Sequence, residues 1–195
     1  MVALAKAPAR MTVAEFMAWS AQTDGRWQLV DGEPEAMAPA SRTHGTLQGE
    51  LTRLIGNHFR ERPCPCVVVV EPGVVPYVSS GQNLRIPDLA VTCSDYGTEE
   101  AMLADPVLIV EILLPTNHAQ TWANVWAFTT IPSVREILIL HSVTIGADLL
   151  RRQPDGNWPE RPMHVETGSL TLESIGMQVP LSDLYVNTRL ARAPR

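Results

Sequence analysis

The sequence predicts a mixed α/β fold with an αβββαβ core, flanked by an N-terminal helix and hairpin and by C-terminal β-strands. Three observations predict it. Leu47, Leu51, Leu54, Ile55 and Phe59 recur at helical spacing and stop before Pro63, which marks an amphipathic helix near 43–60. Three apolar, strand-like runs follow at 66–71, 86–92 and 107–113. A second helical segment, 117–130, carries Trp122, Val125, Trp126 and Phe128, is closed by Pro132-Ser133, and leads into an apolar strand at 135–140. The six core elements form one mixed sheet with its helices.

The flanking elements follow from local signals. Residues 1–10 have no periodicity and read as a loose tail. Thr12-Val13-Ala14-Glu15 is a capping box that opens a short helix to about Ser20. Trp27-Gln28-Leu29-Val30 alternates and runs into Asp31-Gly32, a hairpin turn signal, with a return strand from Glu33 to Met37. Pro39, Ser41 and Thr43 lead into the long helix. Residues 74–78 and the turn at 79–83 suggest a bent hairpin, and Pro87, which lacks an amide hydrogen, belongs at a strand start or edge. Beyond the core, 145–151 and a strand near Trp158 flank Asp155-Gly156, and Thr167-Gly168-Ser169 separates two more short runs. Residues 178–181 lead into Asp183-Leu184-Tyr185, and a basic tail at 188–195 carries Arg189, Arg192 and Arg195. Neither a repeat nor a linker interrupts 11–187, which reads as a single domain.

Composition narrows the function classes. Hydrophobic residues at 45% and charged residues at 18% describe a folded chain. A net charge of −6 and a pI near 5.3 count against broad, sequence-independent binding to duplex DNA, though not against a local basic cleft. The longest apolar stretch, 66–70, is too short to span a bilayer, and residues 1–10 lack a signal-peptide core, so the expected compartment is the cytoplasm. Three cysteines, Cys64, Cys66 and Cys93, argue against a disulfide framework, and no second Cys/His pair gives Cys64-Pro65-Cys66 zinc-ligand spacing. Free buried thiols are the expectation.

Two acids carry the chemistry. Asp88 lies in Arg85-Ile86-Pro87-Asp88-Leu89-Ala90-Val91, and Glu111 in Val107-Leu108-Ile109-Val110-Glu111-Ile112-Leu113. A carboxylate within an otherwise buried strand is costly unless it is paired, hydrogen-bonded or bound to a cation. Successive strands bring such acids together, and clustered oxygen ligands suit Mg²⁺ or Mn²⁺. The blander alternative is a pair of strand-end acids, one held by Arg85 in a surface ion pair. The only lysine in the chain is Lys6.

The string Trp27-Gln28-Leu29-Val30-Asp31-Gly32-Glu33, followed by Met37-Ala38-Pro39, His44, Ile86-Pro87-Asp88-Leu89-Ala90-Val91 and Val110-Glu111-Ile112-Leu113, resembles the Uma2 family over roughly residues 11–141. That resemblance implies the restriction-endonuclease-like fold of the PD-(D/E)xK nuclease superfamily and an ancestral metal-dependent cleavage of DNA. It implies Asp88 and Glu111 as ligands of Mg²⁺ or Mn²⁺, with Glu33 as a third acid and His44 as a further site residue. Without the resemblance, Glu33 reads as a solvated hairpin residue and His44 as a capping or core residue. The family's lysine, matched without gaps from Glu111, falls on Val125. The expectation is therefore a degenerate endonuclease site. The alternative is a catalytically inactive module that binds a partner or forms a homodimer through the Trp122, Val125, Trp126 and Phe128 face. His118, His141 and His164 have no partner spacing and read as structural.

Overall fold

Helix α1 (Val13–Ser20) opens on its capping box: Thr12 Oγ1 accepts from the Glu15 amide at 3.3 Å, and the Glu15 carboxylate accepts from the Thr12 amide at 2.8 Å. The computed structural model describes residues 10–95, 97 and 100–192, so all of the expected tail at 1–10 except Arg10, and the last residues of the basic one, lie outside the described residues. Strands β1 (Trp27–Val30) and β2 (Glu33–Ala36) pair antiparallel. Asp31 (φ 48°) and Gly32 (φ 84°) are both left-handed, as a two-residue hairpin turn of matching twist requires. The hairpin and α1 share a small apolar cluster of Met11, Phe16, Leu29 and Leu84.

Helix α2 (Arg42–Arg60) starts where Ser41 Oγ accepts from the His44 amide at 3.2 Å, and it buries Leu47, Leu51 and Ile55. The core sheet then sets six strands side by side in chain order: β3 (Val67–Val70), β4 (Leu89–Thr92), β5 (Pro106–Leu113), β6 (Glu136–His141), β7 (Ala147–Arg151) and β8 (Met163–Val165). All pairs are antiparallel except β5 with β6, whose crossover is helix α3 (His118–Phe128). Period-two alternation divides the apolar residues between two faces. Leu89, Val91, Leu108, Val110, Leu138 and Leu140 pack under α2, while Ala90, Ile109, Ile137, Ile139 and Leu150 pack under Val125 and Phe128 of α3. A second hairpin, β9 (Ser169–Leu172) with β10 (Met177–Pro180), and helix α4 (Leu181–Tyr185) complete the α2 side.

The expected core order is present, with three local differences. Regular pairing in the second core strand starts only at Leu89, because Pro87 cannot donate to a ladder; Arg85 instead bridges Val74. No strand forms at Trp158, whose indole N–H donates to Thr129 O at 3.0 Å beneath the Arg152 guanidinium; the strand falls at 163–165. Cys66 and Cys93 form a disulfide, which corrects the expectation of free thiols for those two, while Cys64 is a free, half-buried thiol. The β3–β4 register pairs Val67 with Thr92, so the next step sets the two sulfurs face to face, a juxtaposition that cysteine counting does not reveal. Among the described residues, no helix is long and apolar enough to cross a membrane.

Glu136 is fully buried and ties the sheet to the second hairpin. Its carboxylate accepts from Arg151 Nε at 2.7 Å, from the Glu173 amide at 3.1 Å and from the Ser174 amide at 2.7 Å. Replacing it strands those donors beside a buried site. Glu136→Ala is expected to lower stability by roughly 3 kcal/mol, the usual cost of breaking a buried charged network, read as a shift in the urea unfolding midpoint.

Candidate functional site

The β4–β5 ladder pairs Leu89 with Val110, so one step further Asp88 comes opposite Glu111 on the face that α3 covers. Both are buried, at 8% and 6% exposure. Asp88 Oδ2 accepts from the Ile112 amide at 2.6 Å, and Oδ1 lies 2.9 Å from His44 Nε2. A carboxylate only accepts, so His44 carries its proton on Nε2. The Asp88 carbonyl accepts from Gln48 Nε2 at 3.0 Å and from the Glu71 amide at 3.1 Å. Asp88 is thereby held at both ends.

Glu111 is the contrasting member. Its Oε1 is buried with no hydrogen-bond partner, as is His44 Nδ1. Burial, and then the neighbouring Asp88 charge, push its pKa well above the ordinary 4.5, while the Asn124 side chain opposes the rise. Two like charges about 5 Å apart, the cross-strand neighbour distance, repel by roughly 3 kcal/mol at an effective dielectric of ~20. Burial and this repulsion together favour the protonated form of Glu111 when no cation is bound.

These groups open into a cleft of about 110 Å³. The β1–β2 hairpin contributes Arg26, Gln28 and Glu35; α2 contributes His44; α3 contributes Gln120, Thr121 and Asn124, whose spacing makes one polar stripe on a helix. A buried amide relay lies behind the carboxylates. Arg85 Nη1 donates to Asn124 Oδ1 at 2.9 Å, Gln120 Nε2 donates to the same oxygen at 3.3 Å, and Asn124 Nδ2 donates to Gln28 Oε1 at 3.4 Å. Gln28 Nε2 continues the relay to Glu35 Oε2 at 3.4 Å. Arg85 also donates to Asn83 Oδ1 at 3.0 Å; burial lowers its pKa, with Glu35 and Asp31 opposing. At the mouth, Arg26 pairs with Glu71 at 2.6 Å and remains partly exposed.

The structure thus brings three of the expected residues together, Asp88, Glu111 and His44. Glu33 is exposed and lies outside the cleft lining. Glu35, on the same strand face and roughly 7 Å further along, is the hairpin acid that reaches the cleft. Arg85 is 4% exposed and bonds to amides, so the surface ion pair with Asp88 is replaced by a buried position behind Asn124. Val125 is fully buried against the apolar cluster that contains Ala90 and Ile109. One residue back, and about 100° around the helix, Asn124 faces the cleft instead. The polar stripe Gln120, Thr121, Asn124 was visible in the sequence as the only polar side of a tryptophan-bearing helix. His118 is exposed, whereas His141 and His164 converge on Asp148.

A family profile named Uma2 and described as "Putative restriction endonuclease" matches residues 13–182. The chain belongs to the Uma2 family. This Uma2 chain is also similar to a protein of Anabaena variabilis ATCC 29413 whose crystal structure is described as that of "a putative nuclease". The TM-score is 0.70 at 14% sequence identity, covering 90% of this chain and 98% of that one, so the likeness is one of fold. No curated protein matches the chain.

The donor set fits a hard divalent cation. Two facing carboxylates with an orphaned oxygen, Glu111 Oε1, make an oxygen site that a cation would satisfy. The raised pKa of Glu111 also has a consequence for stability. The unfolded chain ionises near 4.5 while the folded chain keeps its proton, so metal-free stability falls as pH rises from about 4.5 toward the folded value. Glu111→Gln is expected to raise the metal-free unfolding temperature at neutral pH and to flatten its decline with pH, measured in the presence of EDTA. A steeper decline in the variant would show that Glu111 is ionised in the fold.

Proposed function

We propose that this Uma2 chain is a divalent-metal-dependent DNA endonuclease with a weakened, lysine-free site. The observation that carries the reading is the buried Asp88–Glu111 pair, with its unpartnered oxygen, in the wall of the cleft. Asp88 and Glu111 would hold Mg²⁺ or Mn²⁺, which when bound supplies charge for the scissile phosphate and a more acidic water. His44 stays oriented by its bond to Asp88 and keeps Nδ1 free as a proton acceptor. Asn124, aimed by Arg85, supplies an amide beside Glu111. Arg26 offers a partly exposed guanidinium at the cleft mouth, where a DNA phosphate would pass.

No lysine follows the carboxylates. The helix presents Gln120, Thr121 and Asn124, all neutral, and the position matched to the family lysine, Val125, is in the apolar core. Losing one positioned charge costs on the order of a hundredfold to a thousandfold in rate. Slow nicking of supercoiled plasmid is therefore expected with Mn²⁺ or Mg²⁺, and Asp88→Ala should abolish it. Thr121→Lys, which points an ammonium into the cleft, is expected to raise the rate about tenfold or more. Val125→Lys should instead destabilise the fold by burying a charge among Ala90, Ile109 and Phe128. Nicking that survives Asp88→Ala would overturn the reading.

A second reading has its own support. Trp126 is 44% exposed and stacks on Trp122 at 6.1 Å, an apolar patch of the sort that binding surfaces use. If the folded protein cuts no DNA with either metal, a non-catalytic binding or dimerisation module is the better account. Sedimentation of wild type against Trp126→Glu tests for a homodimer on that face.

A further inference from the structure

A second cluster of ligating side chains lies on the same sheet face, toward its outer edge. His141 ends β6, Asp148 lies on β7 and His164 on β8, and one ligand atom from each falls within 4.8 Å of the others. His141 Nε2 is 2.9 Å from Asp148 Oδ2, and His164 Nδ1 is 2.7 Å from Asp148 Oδ1. The other nitrogen of His164, Nε2, lies 3.1 Å from Glu166 Oε1. We propose that His141 Nε2, Asp148 and His164 Nδ1 form a binding site for a borderline transition-metal ion of the Zn²⁺ type, independent of the Asp88–Glu111 pair.

Four features support this assignment. The donor set is two imidazoles and one carboxylate, which suits Zn²⁺, Co²⁺ or Ni²⁺ and not Mg²⁺ or Ca²⁺. Tetrahedral ligands about 2.0–2.2 Å from zinc stand roughly 3.3 Å apart; the two histidines already contact the two oxygens of Asp148 at 2.9 and 2.7 Å, and one ligand atom from each of the three residues lies within 4.8 Å of the others. In the metal-free state protons on the two ring nitrogens occupy the place the ion would take. Glu166 is placed to accept from His164 Nε2–H, the carboxylate–histidine–metal relay that fixes a ligand's tautomer. The backbone around His141 is also held. Tyr185 Oη donates toward His141 O at 2.8 Å and Gly146 O at 2.7 Å, and a Cβ at residue 146 would come within 3.0 Å of His141 Nδ1. Any larger residue there would push that ring by a few tenths of an ångström.

The site is distinct from the first by geometry. The ladders pair Glu111 with Ile139, Ile139 with Asp148, and Asp148 with His164, so Asp148 stands two strand spacings from Glu111, about 9.5 Å. That is far beyond the roughly 4 Å of a two-metal centre. Its three ligands come from three neighbouring strands, including the three-residue strand β8. A bound ion would pin that short strand to the sheet and leave a fourth position facing solvent, where His164 is half exposed.

The test is calorimetric titration of the full chain with Zn²⁺ in the Asp88→Ala, Glu111→Gln background, which removes the first pair. One Zn²⁺ per chain is expected, with a rise of several degrees in the unfolding temperature. Co²⁺ should give the visible bands of a tetrahedral site. His164→Ala should weaken affinity at least a hundredfold. Glu166→Gln, on an exposed side chain that leaves the fold intact, should weaken it about tenfold. Absence of stoichiometric binding, or an affinity that His164→Ala and Glu166→Gln leave unchanged, would overturn the proposal. Absence of DNA nicking by the wild-type chain, with Zn²⁺ binding intact, would count against the nuclease reading alone.

Discussion

Asp88 and Glu111 occupy facing positions on adjacent strands beneath a helix, and two acids there can stay buried only if their charge is shared out. Asp88 takes donors from the Ile112 amide and the His44 ring. Glu111 is the member whose pKa burial and the Asp88 charge push well up. Much of the surrounding architecture follows from that division. The first turn of α2 must end over the strand tips so that His44 reaches Asp88. The β1–β2 hairpin must fold across to roof the cleft with Gln28 and Glu35. The α3 crossover must turn a polar stripe toward Glu111 while its apolar side packs on Ala90 and Ile109. A purely apolar α3 would leave Glu111 facing hydrocarbon, with no amide to offset the burial.

The placement of positive charge is the chemically revealing part. Arg85 is buried behind Asn124, and Arg26 stands at the mouth tied to Glu71. Neither is where a catalytic cation would touch the phosphate beside Asp88. Arg85 acts through Asn124: a guanidinium on Oδ1 polarises the amide and fixes which way it points, so that Nδ2 is the group turned toward Gln28. A planar, permanently charged donor fork suits that role in a way an ammonium does not. The fold thus uses Arg85 for orientation, and beside the carboxylates the cleft offers amides and one histidine, with Arg26 only at its mouth.

The periodic elements were legible in the sequence because their signals are local. The stripe from Leu47 to Phe59, the Asp31-Gly32 turn and the Thr12–Glu15 box each specify their element within a few residues, and Asp88 and Glu111 stood out as charges inside apolar runs. What was not legible depends on phase and on distant pairing. Counting without gaps placed Val125 at the site, but a single residue is 100° of helix, and only packing against Ile109 decides that Asn124 faces the cleft. Glu33 and Glu35 share a strand face, so the pattern could not say which reaches the acids. Cys66 with Cys93, and His141 with Asp148 and His164, meet only through strand registers that no spacing rule encodes.

One row of the sheet joins these features. On the α3 face, residues in register run Asp88, Glu111, Ile139, Asp148, His164 from β4 to β8. Glu111 and Asp148 flank Ile139, about 9.5 Å apart by two strand spacings. At an effective dielectric of ~20, two negative charges at that distance still repel by about 2 kcal/mol, enough to raise a buried carboxyl further. The repulsion is relieved at the outer end. His164 has Asp148 on one ring nitrogen and Glu166 on the other, and those two acids raise its pKa and favour its charged form. Fully buried Ile139 fills the sheet position between Asp148 and Glu111. An apolar residue at position 139 excludes water from the space between the two acids, so their coupling is left less screened than it would be across a wet surface. The inner pair therefore feels the charge balance at the edge of the sheet as well as its own proton or cation.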